Sequence, residues 1–321
     1  MMLTRLLAGL LSPRGGRGRL SILIFHRVHA QPDPLFPDEP DAERFDKLLS
    51  WIGSSFTVMP LDRAIAALRA ETLPPRALAI TFDDGYADNY QVALPLLQKH
   101  GMSATFFVAA GFINGGRMWN DVVIEVVRGT RSDQLDLRML GFRRYDVRTA
   151  AERRAAIDHL LPQIKYLPSA ERASTVADIA AHCAPVLPDD LMMTSAQLRA
   201  LRAAGMTIGG HTRTHPILSR LDDGDAYDEI SGGKTDLERI VGEPVTLFAY
   251  PNGKPGRDYS ATHAVMVERA GFAGAVSTSA GVARTGTDVF QLPRFTPWDR
   301  TEFRFGLRLV NNLRCDGRIA A

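Results

Sequence analysis

Apolar positions along this chain alternate between two periodicities. Ser21-Ile22-Leu23-Ile24-Phe25 is a short continuous run rich in β-branched and aromatic residues, which predicts a strand buried on both faces with His26 at its end. A proline-rich loop, Gln31 to Pro40, leads to helical periodicity over Asp41 to Gly53 and over Leu61 to Ala70, the second introduced by Pro60. Ala77 to Phe82 predicts the next strand, running into Asp83-Asp84-Gly85. Asp88 to His100 then predicts a helix stopped by Gly101, and Ser103 to Ala109 a third strand. The rhythm returns later as helices over Ser195 to Ala204, Tyr227 to Val241 and Ser260 to Ala270, alternating with strands over Met206 to Ile208, Val245 to Tyr250 and Ala273 to Ser277. Strand–helix–strand repetition builds parallel sheets with right-handed crossovers, so the expected class is α/β, with the sheet open or closed.

Between Phe112 and Thr194 the alternation breaks into mostly helical patterns, over Asp121 to Arg128, Thr149 to Leu161 and Ser169 to His182. Such an insertion forms either a wall over the strand ends or extra packing on the flank. The expected division is an N-terminal tail at 1–19, a main domain at 20–300 carrying the insertion at about 112–194, and a C-terminal helix and tail at 301–321. No glycine-rich phosphate loop follows a strand, which sets nucleotide cofactors aside.

Composition narrows the function classes. The chain has 321 residues, 45% apolar and 23% charged, the make-up of an ordinary folded protein. Lys and Arg number 38 against 36 Asp and Glu, too small a surplus to predict a nucleic-acid partner. Cys183 and Cys315 are the only cysteines, which excludes a disulfide framework and fits a reducing compartment. The run Leu6 to Leu11 is shorter than a secretory core and is followed by Arg14, Arg17 and Arg19 rather than a small-residue cleavage site, so no signal peptide is expected. No apolar stretch is long enough for a transmembrane span, although the Leu/Arg-rich residues 1–19 suit peripheral membrane contact. The expected location is the cytoplasm, with association to the inner membrane surface.

Candidate chemistry collects at the predicted strand ends. Asp83 and Asp84 are adjacent carboxylates before Gly85, at the end of a strand where catalytic groups gather in parallel α/β folds. An Asp at a strand-to-helix turn also caps helices, which accounts for one carboxylate and not for two. His211-Thr212-Arg213-Thr214-His215 follows another strand, and two imidazoles with three residues between them can converge on one ion. Imidazole nitrogen with carboxylate oxygen suits zinc and other first-row divalent ions, and three protein ligands leave positions open for water. Phe248-Ala249-Tyr250-Pro251-Asn252-Gly253 is a further strand running into a turn, and Trp119, Trp298 and Tyr250 are aromatic candidates for apolar packing or for stacking on a flat ligand.

On these residues the chain resembles the polysaccharide deacetylase family built on the NodB homology domain, carbohydrate esterase family 4. Thr81-Phe82-Asp83-Asp84-Gly85 matches its first motif and His211-Thr212-Arg213-Thr214-His215 its second. The resemblance implies a distorted (β/α) barrel of NodB type with a helical insertion. It also implies a single divalent metal ion on Asp84, His211 and His215, with zinc expected first and Co2+, Ni2+ or Fe2+ as alternatives. Asp83 becomes the general base, and Tyr250, Pro251 and Asn252 the substrate and oxyanion segment, with a backbone N–H near Asn252 joining the metal on the oxyanion. The implied partner is an N-acetylated polysaccharide or oligosaccharide, including a lipid-linked precursor of an exopolysaccharide.

Two departures from the family pattern matter. Ala249 stands where the third motif usually carries the arginine that orients the base, and Arg294, in Leu292-Pro293-Arg294-Phe295, is the candidate substitute. No histidine follows Pro297 to serve as the usual C-terminal acid. Ile24-Phe25-His26-Arg27-Val28 instead looks like the permuted branch that includes deacetylases of poly-N-acetylglucosamine, which makes His26 the general-acid candidate and His29 its second choice. Alternative readings are a carbohydrate-binding protein that has lost turnover, a deacetylase of a small N-acetylated molecule, and a phosphoesterase.

Overall fold

The computed structural model describes residues 2–183, 186–297 and 299–320. In chain order the first part runs α1 (Met2–Leu11), β1 (Ser21–Phe25), α2 (Ala42–Ser55), β2 (Thr57–Val58), α3 (Leu61–Arg69) and β3 (Ala77–Phe82). A π-helical turn over Asn89–Ala93 leads into α4 (Leu94–Lys99) and then β4 (Thr105–Val108). The insertion comprises α5 (Trp119–Gly129), β5 (Gln134–Asp136), β6 (Arg144–Asp146), α6 (Ala150–Lys165) and α7 (Ser169–Cys183). The alternation resumes with α8 (Ser195–Ala203), β7 (Thr207–Gly210), α9 (Asp223–Val241), β8 (Leu247–Ala249), α10 (Ala261–Arg269), β9 (Gly274–Val276) and α11 (Glu302–Asn312).

The main sheet is wholly parallel in the order β1-β3-β4-β7-β8-β9, with β2 beside the start of β3. It curls into a half-barrel ringed by helices, the α/β class expected from the alternation. A short extended segment at 292–295 lies between the outer strands. Ser277 donates its N–H to the Leu292 carbonyl, and Phe295 donates to Ile22, each at 2.8 Å. This segment therefore ties β9 to β1.

Burial explains why β3 carries no charge until its end. All six of its residues are buried. Leu78, Ile80 and Phe82 face the helix layer, where Phe82 stacks on Phe25 and Phe106 with centroids 5.4 and 4.9 Å away. Ala77 and Ala79 face the barrel interior with Ile22, Phe107, Leu247 and Leu292, beneath α3. Side chains alternate along a strand, so this parity sends Thr81 and Asp83 inward as well.

One expectation needs correction. Residues 1–19 are not simply a tail: α1 packs on α11 with Ala8 buried, and it leaves Met2, Leu3, Leu6 and Leu10 exposed beside Phe303 and Leu307. Thr4 sits so close to Gly306 that a Cβ there would meet its hydroxyl, which is why a glycine occupies α11 at that point. The insertion is mostly helical as expected, and β5 and β6 add an antiparallel hairpin to it. Its strands are three residues long and rich in charge, too short to reveal a period of two. Among the described residues no helix is long and apolar enough to cross a membrane.

Gly209 of β7 fixes the tightness of the interior, because a Cβ there would lie 2.4 Å from the Phe107 ring and 3.1 Å from the Leu247 carbonyl oxygen. Gly209→Ala is expected to cost about 1–3 kcal/mol by overpacking, read from urea unfolding. An unchanged midpoint would mean that Phe107 has room to shift.

Candidate active site

β3 ends in a sharp turn. Asp84 and Gly85 take φ of 77° and 95°, and a Cβ on Gly85 would meet Val108 at 2.9 Å, so only glycine fits there. Asp83, pointing inward by strand parity, receives a two-pronged ion pair from Arg294. Nη1 donates to Oδ1 at 2.6 Å and Nη2 to Oδ2 at 2.7 Å. The closing segment at 292–295 carries this guanidinium into the interior, where it also donates to the Ser277 carbonyl at 2.9 Å and to Thr81 Oγ1 at 3.2 Å. Both residues are 2% exposed. Burial alone would raise the Asp83 carboxyl, yet the Arg294 charge beside it, helped by His211, holds it below the ordinary aspartate range.

Beside this pair stand the other carboxylate and two imidazoles. His211 follows β7 directly, and its Nδ1 lies 2.7 Å from the Ala249 carbonyl oxygen. A carbonyl can only accept, so Nδ1 carries the proton and Nε2 turns toward Asp84 Oδ1, 3.5 Å away. His215 Nε2 lies 3.4 Å from the same oxygen. The chain brings the second imidazole round by a left-handed turn, with Thr212 at φ 62° and His215 at 57°. Thr212 Oγ1 accepts the His215 N–H at 3.0 Å and donates to the His211 carbonyl at 2.6 Å. Glu229 of α9 clamps the same turn, accepting from the N–H groups of Arg213 and Thr214 at 2.9 and 2.8 Å. Among the described residues, four of the seven non-glycine positions with positive φ, namely Asp84, Thr212, His215 and Asn252, belong to this region. Such conformations cost roughly 1 kcal/mol or more each and persist where the surroundings over-determine them.

The donor set fits a cation. One ligand atom each from Asp84, His211 and His215 lies within 4.8 Å of the others, and Asp84 Oδ1 is buried with no hydrogen-bond donor. A buried carboxylate oxygen that faces two imidazole nitrogens without a donor is satisfied by a positive ion between them. Electrostatics agree. Burial would raise Asp84, but the two imidazoles hold it well below its ordinary value. Burial pushes His215 down to about 4, which keeps its ring neutral and able to ligate. His211 is held above the ordinary range by Asp83 and Asp84 although burial opposes this, so the carboxylates favour positive charge at its Nε2.

His26, exposed at the end of β1, is near enough for its charge to act on Asp83, Asp84 and His215. His29 instead lies 2.6 Å from Glu39. Several residues that the sequence did not single out hold this corner. Asn89 donates to the His26 carbonyl at 2.9 Å, and Arg27 pairs with Asp88 at 2.8 Å while lying 4.5 Å over the Tyr86 ring. The Tyr86 hydroxyl donates to buried Asp121 at 2.9 Å. The π-helical turn that begins at Asn89 replaces the regular helix expected from Asp88, and these contacts sit at its start.

The 250–252 segment divides. Tyr250 is fully buried, stacks on Tyr259 at 3.8 Å and donates its hydroxyl to the Phe290 carbonyl, while its N–H donates to Val276. Neither its ring nor its N–H is free for a substrate, which corrects the expectation for this residue. Its parity with Phe248 sends it to the helix layer, and Ala249 faces the interior. Pro251 is buried and has no N–H to offer. Asn252, at φ 59°, lines a cleft of about 520 Å³ that reaches Asp84 and His215. Trp119 lines the same cleft, as do Lys165 and Tyr166 of the insertion, so the insertion is a wall of this cleft. Trp298 lies outside the described residues.

Asp121 offers a pH test of this corner. Burial, aided by the Asp84 charge and opposed by the Tyr86 hydrogen bond, pushes its carboxyl up to about 7. The folded protein then keeps a proton that the unfolded chain releases near pH 4, so stability falls as pH rises from about 4 to about 7 and levels off above. The slope is at most roughly 1.4 kcal/mol per pH unit. The metal-free parent's unfolding free energy, measured across this window, should decline relative to that of Asp121→Asn, because His215, pushed down to about 4, adds a contribution of opposite sign that both proteins share. Parallel curves would contradict it.

Comparisons with known proteins follow this geometry. The family model described as polysaccharide deacetylase matches residues 70–136 and 170–275. YxkH of Bacillus subtilis (strain 168), a polysaccharide deacetylase homologue, is 32% identical over 92 residues, which cover 28% of this chain and 32% of that protein. The chain thus matches about a third of that relative's length. Among solved structures, the Streptococcus pyogenes deacetylase PplD, in complex with acetate, superposes with a TM-score of 0.60 at 18% identity, over 92% of this chain and 98% of that one. IcaB from Ammonifex degensii gives 0.60 at 19% identity, over 95% and 99%. The deacetylase domain of BpsB from Bordetella bronchiseptica gives 0.54 at 16%, over 89% and 97%. At these identities the structures show a shared fold. With more than half of its residues matched by the family model, the chain belongs to the polysaccharide deacetylase family.

Proposed function

We propose that this protein is a metal-dependent hydrolase that removes N-acetyl groups from a polysaccharide or from its oligosaccharide or lipid-linked precursor. The carrying observation is the donor-free Asp84 oxygen facing two imidazoles at 3.5 and 3.4 Å, with the Asp83–Arg294 pair alongside. Asp83 Oδ2 lies 4.0 Å from His211 Nε2, so the base stands beside the ligand set. Membership of the family and the acetate recorded with PplD support the same chemistry.

Asp84, His211 and His215 would hold the ion, and zinc suits two imidazoles and a carboxylate best, with Co2+, Ni2+ and Fe2+ fitting the same donors. A divalent ion bound there supplies Lewis acidity, which makes a water more acidic and polarises an amide carbonyl. Asp83 takes the proton of the attacking water. Arg294 keeps that carboxylate ionised and aims it, doing the work that the arginine absent at Ala249 does elsewhere in the family. Among the described residues the Asn252 N–H donates to no acceptor, and we assign it to the oxyanion. His26 returns a proton to the departing amine, so water is added across the amide to give acetate and an amino sugar.

A second reading, a carbohydrate-binding protein without turnover, is favoured by Ala249 alone. It makes opposite predictions. Zinc-loaded protein should release acetate from N-acetylglucosamine oligomers, and Asp83→Asn should lower kcat by about 10²–10⁴-fold. His26→Ala should lower kcat far more than metal content, whereas equal loss of both would make His26 a ligand. Release that survives chelation would refute the mechanism, and no release from any N-acetyl sugar would favour the binding reading.

Arg294→Ala removes the charge that holds Asp83 low, so the carboxyl's pKa rises and the acidic limb of the pH–rate profile moves to higher pH. It should also cost about 3–5 kcal/mol of stability, because a buried carboxylate is left unpaired. Arg294→Lys keeps the charge without the fork and should fall between the two proteins. An unchanged profile and unchanged turnover in Arg294→Ala would remove this role.

A further inference from the structure

The cleft reaches Asp84 and His215 at its inner end, but its outer wall is built from cations. Lys165 closes α6, Arg172 lies in the first turn of α7, and Lys254 and Arg257 follow β8. Asp84 is the one carboxylate in the lining, and it faces the two imidazoles. Among the described residues none of these four cations forms an ion pair with a carboxylate. Buried Asp258, whose Oδ2 accepts the Lys254 backbone N–H at 3.0 Å, is the carboxylate whose field reaches Lys165.

The cations gather instead on neutral rings. The Arg257 guanidinium lies 5.0 Å from the Tyr166 ring centroid and donates to its hydroxyl, with Lys165 Nζ at 5.7 Å and the Arg220 guanidinium at 5.8 Å from the same ring. Arg172 lies 5.6 Å over Trp119. A phenol face attracts a cation only weakly at an exposed site, and one ring does not offset the mutual repulsion of three. Consistent with this, burial together with Lys254 and Arg257 lowers the Lys165 ammonium's hold on its proton, despite Asp258. A chain with a net charge of only +2 concentrates positive charge here, along the cleft that leads to the reacting groups.

We propose that this cleft binds a glycan carrying an anionic group, a phosphate ester, a diphosphate or a uronate carboxylate, beside the N-acetylated sugar. A neutral glycan would leave the four cations facing hydroxyls, whereas an anion supplies the counter-charge and Trp119 and Tyr166 supply flat faces for sugar rings. The inference rests on the deacetylase reading for the chemistry at the inner end, and on the wall alone for the preference in charge.

The test is calorimetric binding to zinc-loaded, full-length Asp83→Asn protein, with acetate release by the parent protein scored in parallel. The probes are neutral N-acetylglucosamine tetramers, tetramers alternating N-acetylglucosamine with glucuronate, and N-acetylglucosamine diphosphate on a short prenyl chain. At about 0.05 M salt at least one anionic probe should bind about tenfold tighter than the neutral tetramer, with the advantage fading toward parity at about 0.5 M. Whichever anionic probe wins identifies the source of the charge. Lys165→Gln with Arg257→Gln should erase the advantage, as should Lys254→Gln in part, whereas Arg148→Gln, on an exposed residue outside the cleft, should keep it. Equal affinities, or a preference untouched in the cleft variants, would overturn the inference. Acetate release without charge preference would do so while leaving the deacetylase reading intact, and charge preference without release from any probe would do the reverse.

Discussion

The Arg294–Asp83 ion pair inside the barrel is the interaction on which the rest of this site depends. Removing two charges from water costs several kcal/mol per ion, and the attraction between them recovers this only with good geometry and further hydrogen bonds. Here the recovery comes from two parallel contacts of 2.6 and 2.7 Å and from the Ser277 carbonyl and Thr81 hydroxyl, which take up further guanidinium donors. Apolar side chains would fill the same volume without that cost. What the pair adds is position: it fastens the segment that closes the barrel to the end of β3, and it holds one carboxylate apart from the other. Asp83 thereby has an arginine donor on each oxygen while Asp84, its neighbour in sequence, keeps an oxygen with no donor.

Closure and strain are two aspects of one arrangement. Asp84, His211 and His215 sit at turns with left-handed residues, each with an external clamp: Glu229 on the His211–His215 turn, Gly85 against Val108 and the Ala249 carbonyl on the His211 ring. A helix and two adjacent strands thus over-determine a conformation that no single segment would keep. α9 comes close enough to do this because Gly233 carries no side chain, and a Cβ there would lie 2.6 Å from the Thr212 backbone. The packing of a helix against the barrel therefore sets the direction of an imidazole.

The insertion ties the fold to the shape of the cleft. Its own apolar core, with Val123, Val126, Ile157, Leu160 and Ile164 buried, keeps α5, α6 and α7 together as one wall. That wall stands over the strand ends and faces the loop after β8. Charge that is nearly balanced over the whole chain becomes strongly one-signed where these two surfaces meet.

The sequence by itself determined much of the frame. β1 and β3 have the limits read from their runs, because a strand buried on both faces is mostly apolar and carries no charged side chain along its length. The two motifs were legible for a related reason: Asp83-Asp84 and His211 to His215 are contiguous, and the turns that aim them are local. Arg294 was suggested only by a family comparison, and its contact with Asp83 spans 211 residues, a meeting that exists only because the 292–295 segment lies between β9 and β1. Tyr250 was misjudged because an aromatic residue at a strand end faces the cleft or the helix layer according to the parity of the whole strand. The cleft cations come from α6, α7 and the loop after β8, and no pattern along the chain unites them. Local sequence encodes burial and turns, since both depend on neighbours along the chain. Which distant groups meet depends on how a curled sheet closes, and that was decided by the tertiary structure alone.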